Sequence, residues 1–398
     1  MKKKAFTLLS LLLACVLVLG LAACGSSGSG TSAGSGTAAS GGSNAAPAAE
    51  TKLRICIITS SGVDDGSFNE NCYDGIKAFI AEHPDCTVTD VKESDLSKLI
   101  ETVDSLVGSY DVFVLPGFNF AACGDIVTAN PDKYFIVVDS TITDSEGNAV
   151  TGLSNAYTMT FKEEEGGFMA GLAAALSTQT GKVAVVNGIA FPSNVNYQFG
   201  FMAGVNYANA KFGTSAEYVE IPSFAGSAAV PVEGMGADVG GNYVGDFANQ
   251  AQGKVVAEEL IRQGVDIIFP AAGSSGNGCF TAVKEAGSGF AIGCDVDQYD
   301  DGDKGDGTSI ILTSALKVMD QNIQKQLNAI YDGTFQGEDA LLGVTENGIG
   351  YVSAAGRQQL SEDALAKMAE AYASMKAGDI VPPSNFNGYL PTDFPGLS

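Results

Sequence analysis

From Thr51 onward, short runs rich in β-branched and aromatic residues alternate with longer segments whose apolar positions recur at helical spacing, and this alternation limits the fold more than any other feature. Residues 53–60 read as a strand and 67–82 as a helix, opened by Ser67-x-x-Glu70, a capping-box pattern. A helix near 96–107, a strand at 111–115, a helix after Gly124 and a strand at 134–139 follow. A second series runs helix 163–177, strand 182–187, helix 194–211, strand 217–221, helix 249–262, strand 265–269, helix 278–286 and strand 290–294. Apolar strands joined by helices predict parallel sheets covered on both faces. Two series predict an α/β protein with two lobes. Residues 223–241, rich in Gly, Ala, Ser and Pro, read as a surface excursion; 361–375 read as a helix, and the last fifteen residues as a loose tail.

The first 23 residues read as an export signal. Lys2, Lys3 and Lys4 precede an apolar run that reaches Leu21. The run is nearly long enough for a membrane span, but Leu21-Ala22-Ala23-Cys24-Gly25 resembles the lipobox of bacterial lipoproteins, in which the cysteine is lipid-modified and becomes the new N-terminus. Cys24 is therefore the expected lipidation site. Residues 24–50 form the expected tether, built almost entirely of Gly, Ser, Ala and Thr, with too little apolar surface to offset the entropy of ordering.

Acidic residues number 46 against 21 basic, a formal net charge of −25, and loss of the signal lysines makes the mature chain more acidic still. Such a field opposes phosphate backbones, so nucleic acid is not an expected partner. The single histidine, His83, precedes Pro84 at a predicted helix end, which reads as a surface position rather than a catalytic one, and one histidine excludes multi-histidine zinc sites. Cys56, Cys72, Cys86, Cys123, Cys279 and Cys294 remain in the body with no C-x-x-C spacing. Export would permit disulfides, but their pairing cannot be read from spacing.

The residues with chemistry to offer share one kind of position. Asp64-Asp65-Gly66-Ser67-Phe68-Asn69 follows the first strand; Pro116-Gly117-Phe118-Asn119 follows 111–115; Asp139-Ser140 ends 134–139; Ala272-Gly273-Ser274-Ser275-Gly276 follows 265–269; Asp295 and Asp297 follow 290–294. Each lies at a strand's carboxyl end, where open α/β sheets bind ligands. The clustering predicts a ligand cleft.

The same segments carry a family likeness. Val63-Asp64-Asp65-Gly66-Ser67-Phe68-Asn69, Phe161-x-x-Glu164-Glu165-Gly166-Gly167-Phe168-Met169-Ala170-Gly171, Tyr243-Val244-Gly245-Asp246-Phe247-Ala248, Ala271-Ala272-Gly273-x-x-Gly276, Gly293-Cys294-Asp295-Val296-Asp297-Gln298 and Thr313-Ser314-x-x-Lys317 occur in that order over about residues 53–383. They resemble the signature of the basic membrane protein family, substrate-binding lipoproteins of ABC importers that include purine-nucleoside receptors. The resemblance implies a type I periplasmic-binding-protein fold, two Rossmann-like lobes with parallel sheets joined by crossover hinge strands. The expected first lobe is 52–160 plus about 294–320, the second 161–293 plus about 321–383, with 384–398 a tail. It also implies a base sandwiched by Phe68 and Phe247 with Asp65, Asn69 and Asp139 near it, and a ribose held by Gly273, Asp295 and Lys317. The implied partners are a nucleoside, a permease and an ATPase. A monomer lipid-anchored on the extracytoplasmic face, without cofactor or metal, is expected. Other members bind riboflavin, which is also aromatic and hydroxyl-rich, so the flavin is an alternative ligand.

Each residue also has a plainer reading. Phe68 and Phe247 could pack in a core, and Asp64, Asp65 and Asp295 could serve as turn or cap residues. Glu163, Glu164 and Glu165 suit solvated positions in a helix's first turn, where the dipole favours carboxylates. Gly166, Gly167 and Gly171 suit close helix packing. From other functional classes, the cleft carboxylates could serve a nucleoside hydrolase, and the acid-dense run 295–306 superficially resembles a calcium loop but lacks its central Gly and final Glu together.

Overall fold

Residues 52–232 and 235–398 are described in a computed structural model. The expected signal, Cys24 and the tether lie outside the described residues. In chain order the first elements are β1 (Arg54–Thr59), α1 (Phe68–Glu82), β2 (Thr87–Lys92), α2 (Leu99–Leu106), β3 (Val112–Pro116), α3 (Gly124–Ala129), β4 (Tyr134–Val138) and β5 (Ala156–Phe161). The apolar runs make these strands because both of their faces are covered: Ile55 and Ile57 enter one helix layer, Cys56 and Ile58 the other. Next come α4 (Glu163–Ser177), β6 (Lys182–Asn187), α5 (Pro192–Phe212), β7 (Glu217–Tyr218), β8 (Gly226–Val232), β9 (Gly236–Gly240), α6 (Gln250–Arg262), β10 (Ile267–Ala271), α7 (Ser274–Ala286) and β11 (Phe290–Asp295). The chain closes with β12 (Ile311–Lys317), α8 (Met319–Tyr331), β13 (Glu338–Leu342), β14 (Ile349–Tyr351) and α9 (Glu362–Ala377).

Two six-stranded sheets result, ordered β13-β5-β4-β3-β1-β2 and β14-β12-β11-β10-β6-β7. All pairs are parallel except β12 with β14. Within the described residues the chain passes between the lobes three times: from β5 into α4, from β12 into α8, and from β13 to β14.

The arrangement of elements departs from the sequence expectations at three points. Residues 311–317 were expected in the first lobe, yet β12 pairs with β11 in the second sheet, whereas α8 packs on α1 and β13 pairs with β5 in the first. Periodicity identifies an element but does not say which sheet it joins. Residues 223–241 contain an antiparallel hairpin, β8–β9, whose Val232 and Val239 pack with Ala190, Val195, Phe199 and Tyr243. The expected loose tail is docked: Asn206 Nδ2 donates to the Pro391 carbonyl at 2.8 Å, and buried Phe394 packs edge-on against Phe168. His83 sits at the end of α1 as expected, half-buried beside Tyr331.

Candidate ligand-binding site

The carboxyl ends of the strands from both sheets face one cleft, whose empty volume is ≈ 640 Å³ including space open to solvent. All eight residues expected at a ligand site line it: Asp65, Phe68, Asn69, Asp139, Phe247, Gly273, Asp295 and Lys317. The first four come from the first lobe and the rest from the second. The lobes touch across it, since Ser67 Oγ donates to the Cys294 carbonyl at 3.1 Å and to Asp295 Oδ2 at 3.0 Å, while Gln298 Nε2 donates to the Gly66 carbonyl at 2.9 Å.

Lys317, at the end of β12, is 1% exposed. Its ammonium donates to Asp139 Oδ2 at 2.6 Å, pairs with Glu163 Oε1 at 3.1 Å, and lies 5.1 Å from the Phe68 ring centroid. Burial opposes the charge, but Asp139, Glu163 and Asp295 outweigh it and hold this ammonium above the ordinary lysine value. Asp139 moves upward to about 7, chiefly through burial, with Lys317 opposing and Glu163 and Asp295 adding to the rise. Its Oδ1 is buried without a hydrogen-bond partner among the described residues. Asp295 Oδ1 accepts from the Tyr197 hydroxyl at 3.0 Å.

Asp139 and Asp295, at the ends of β4 and β11, both adopt left-handed backbone, with φ of 60° and 69°. Non-glycine residues occupy that region at some cost, and such strain gathers at functional sites. Gly273, φ 51°, opens α7, where an added Cβ would stand 3.3 Å from the Phe247 carbonyl oxygen. That carbonyl accepts from the Ser275 N–H at 3.0 Å, tying the Phe247 loop to α7. The half-buried Phe247 ring lies against Gly188, where a side chain would collide with it.

Several expectations need correction. Ser67 does not cap α1; its hydroxyl crosses the cleft, and the Asp65 carboxylate accepts from the backbone N–H groups of Ser67, Asn69 and Glu70 instead. Both Asp65 oxygens are thus engaged by the first turn of α1. Glu163, Glu164 and Glu165 are buried rather than solvated, at 2%, 8% and 7% exposure, because α4 begins where the chain crosses between lobes. Burial pushes the Glu164 carboxyl well above its ordinary value. Gly167 and Gly171 do serve close packing: a side chain on either would strike the backbone of α5 at Tyr197 or Phe201. In the acid-dense run, Arg357 Nε pairs with Asp297 at 2.7 Å and its Nη1 with Asp300 at 2.8 Å.

Sequence reasoning did not select Glu163, Tyr197 or Phe191. Phe191 follows β6, so the carboxyl-end rule would have found it. Its ring lies 5.8 Å from that of Phe247 and 5.4 Å from that of Phe118, the latter on the opposite lobe.

Comparison with known proteins agrees with this architecture. The chain is 27% identical over 404 residues to the CD4+ T-cell-stimulating antigen of Listeria innocua, covering 96% of this chain and 99% of that one. It is 27% identical over 356 residues to the ABC transporter nucleoside-binding protein BmpA of Lactococcus lactis, covering 85% and 87%. Among solved structures, an ABC transporter solute-binding protein from Aeropyrum pernix superposes with a TM-score of 0.69 at 22% identity, over 83% of this chain and 94% of that one. One from Conexibacter woesei gives 0.58 at 19% identity, over 84% and 100%. These likenesses establish the two-lobed fold of the periplasmic-binding-protein type. Residues 52–229 and 224–375 match the Bmp family, described as ABC transporter substrate-binding protein PnrA-like, and the chain belongs to that family.

Proposed function

We propose that this chain is a lipid-anchored, extracytoplasmic receptor that captures a nucleoside, preferentially a purine nucleoside, and delivers it to the permease and ATPase of an importer. One observation carries the reading: Phe68 and Phe247, from opposite lobes and both half-buried, line the same cleft as Lys317, Asp139 and Asp295. Aromatic rings suit a purine face, each pair contributing about 0.5–1.5 kcal/mol beyond area burial. Carboxylates suit ribose hydroxyls, at about 1.5–3 kcal/mol per charge-assisted hydrogen bond. The nucleoside-binding relative from Lactococcus lactis supports the same class of ligand. Nucleotides are disfavoured, because the one ammonium among the described residues that line the cleft already pairs with Asp139 and Glu163 and is not spare for phosphate. Membrane attachment would come from Cys24. The reading contains no turnover, so bound nucleoside leaves unchanged.

Titration calorimetry with inosine and guanosine is expected to give micromolar or tighter binding, with no heat from the corresponding monophosphates. Phe247→Ala should weaken binding by about one to two orders of magnitude and leave the ligand-free melting temperature nearly unchanged. Silence with both nucleosides while a monophosphate or riboflavin binds would refute the assignment, and release of free base would make the protein a hydrolase.

A further inference from the structure

The hairpin β8–β9 leans on the loop that carries Phe191. The Ala229 N–H donates to the Ala190 carbonyl at 2.8 Å, on the strand edge that does not face β9. Val232 and Val239 pack with Ala190 and with Val195 and Phe199 of α5, and Gln198 Nε2 donates to the Val239 carbonyl at 3.0 Å. Beyond the hairpin, Val244 N–H donates to the Asn187 carbonyl at 2.8 Å and Gly245 N–H to that of Gly188 at 2.9 Å, and the chain then reaches Phe247. Residues 187–190 are therefore held by the hairpin and its exit segment, while Phe191 and Phe247 project into the cleft. The two stretches that match the family overlap over residues 224–229, where β8 begins.

We propose that β8–β9 is a brace that sets how far Phe191 and Phe247 reach over the cleft. Phe191, which meets Phe118 across the mouth, is then a positioning residue for lobe closure. A braced ring favours the closed arrangement and slows ligand escape, so the hairpin governs residence time more than encounter. The part of this that concerns ligand rests on the nucleoside reading above; the part that concerns closure does not.

The test uses the full chain, guanosine as probe, and three changes: Phe191→Ala, Ala229→Pro, and replacement of 227–239 by a short Gly-Ser turn. Ala229→Pro deletes only the N–H that donates to the Ala190 carbonyl, which guards against misfolding of the larger replacement. Each change is expected to raise the guanosine dissociation rate by about three- to tenfold, with little effect on the association rate. Phe191→Ala combined with either hairpin change should be no faster than that hairpin change alone, because loss of the brace already withdraws the Phe191 ring. Spin labels at Glu101→Cys and Arg262→Cys, exposed on α2 and α6, read lobe separation without ligand, and Ala229→Pro should broaden it toward longer distances. Additive rate effects, or an unchanged distance distribution, would overturn the brace. Failure of the unaltered chain to bind guanosine would sink the nucleoside reading alone, leaving the distance measurement to decide the brace.

Discussion

Around Lys317 one ammonium faces Asp139, Glu163 and Asp295 in a space that water barely enters. Burial is the chief cause of the upward displacement of Asp139, with the neighbouring Glu163 and Asp295 adding to it and Lys317 opposing. The folded protein consequently keeps a proton on Asp139 at pH values where the unfolded chain has lost it. Stability without ligand should therefore fall as pH rises from the ordinary aspartate value of 3.8 to about 7. For one proton the slope is at most about 1.4 kcal/mol per pH unit. Urea melts between about pH 5 and about pH 8 would measure it, and Asp139→Asn should flatten that dependence; an equally steep profile in the variant would place the proton elsewhere. These residues also mark where sequence reading stopped at the residue scale. Lys317 and Asp139 stood out through motif and strand-end position. Glu163 looked solvated, because nothing local reveals that the first turn of α4 is covered by the crossing between lobes.

Among the elements, α4 and α5 approach through glycine. Gly167 and Gly171 on α4, with Gly200 and Gly204 on α5, each present a bare Cα to the backbone of the other helix. The largely apolar sequence of α4 follows, since 13 of its residues are buried. Gly171→Ala should destabilise the protein by about 1–3 kcal/mol through overpacking, although alanine has the better helix propensity. A denaturation midpoint equal to that of the unaltered chain would mean the pair can slide apart without loss. Both helices were expected from the sequence, although burial on most sides leaves them little of the periodicity that marks a half-buried helix. β2 was not, because as an edge strand with mostly exposed residues it lacks the apolar run that marks its neighbours. The hairpin was missed for a related reason: its small residues satisfy no template until Ala190 and α5 give them a surface to cover.

At the scale of the whole molecule, a formal charge of −25 on one chain means that folding gathers like charges. Screening should relieve that repulsion, the Debye length shrinking from about 30 Å at 0.01 M salt to about 8 Å at 0.15 M. The melting temperature should accordingly rise by a few degrees on adding sodium chloride over that range, and a fall would show that favourable ion pairs outweigh the net field. The sequence by itself determined the class of fold, because a strand buried on both faces writes a short unbroken apolar run into the chain and an amphipathic helix writes its 3.6-residue period. It also determined the edge at which a ligand cleft would lie, since parallel connections bring all strand carboxyl ends to one side. Only the tertiary structure decided that β12 joins the second sheet while β13 returns to the first, that Glu163 faces Lys317, and that Phe191 bridges to Phe118. Those outcomes depend on pairing and desolvation between segments far apart in the chain, and neither leaves a local trace in the order of residues.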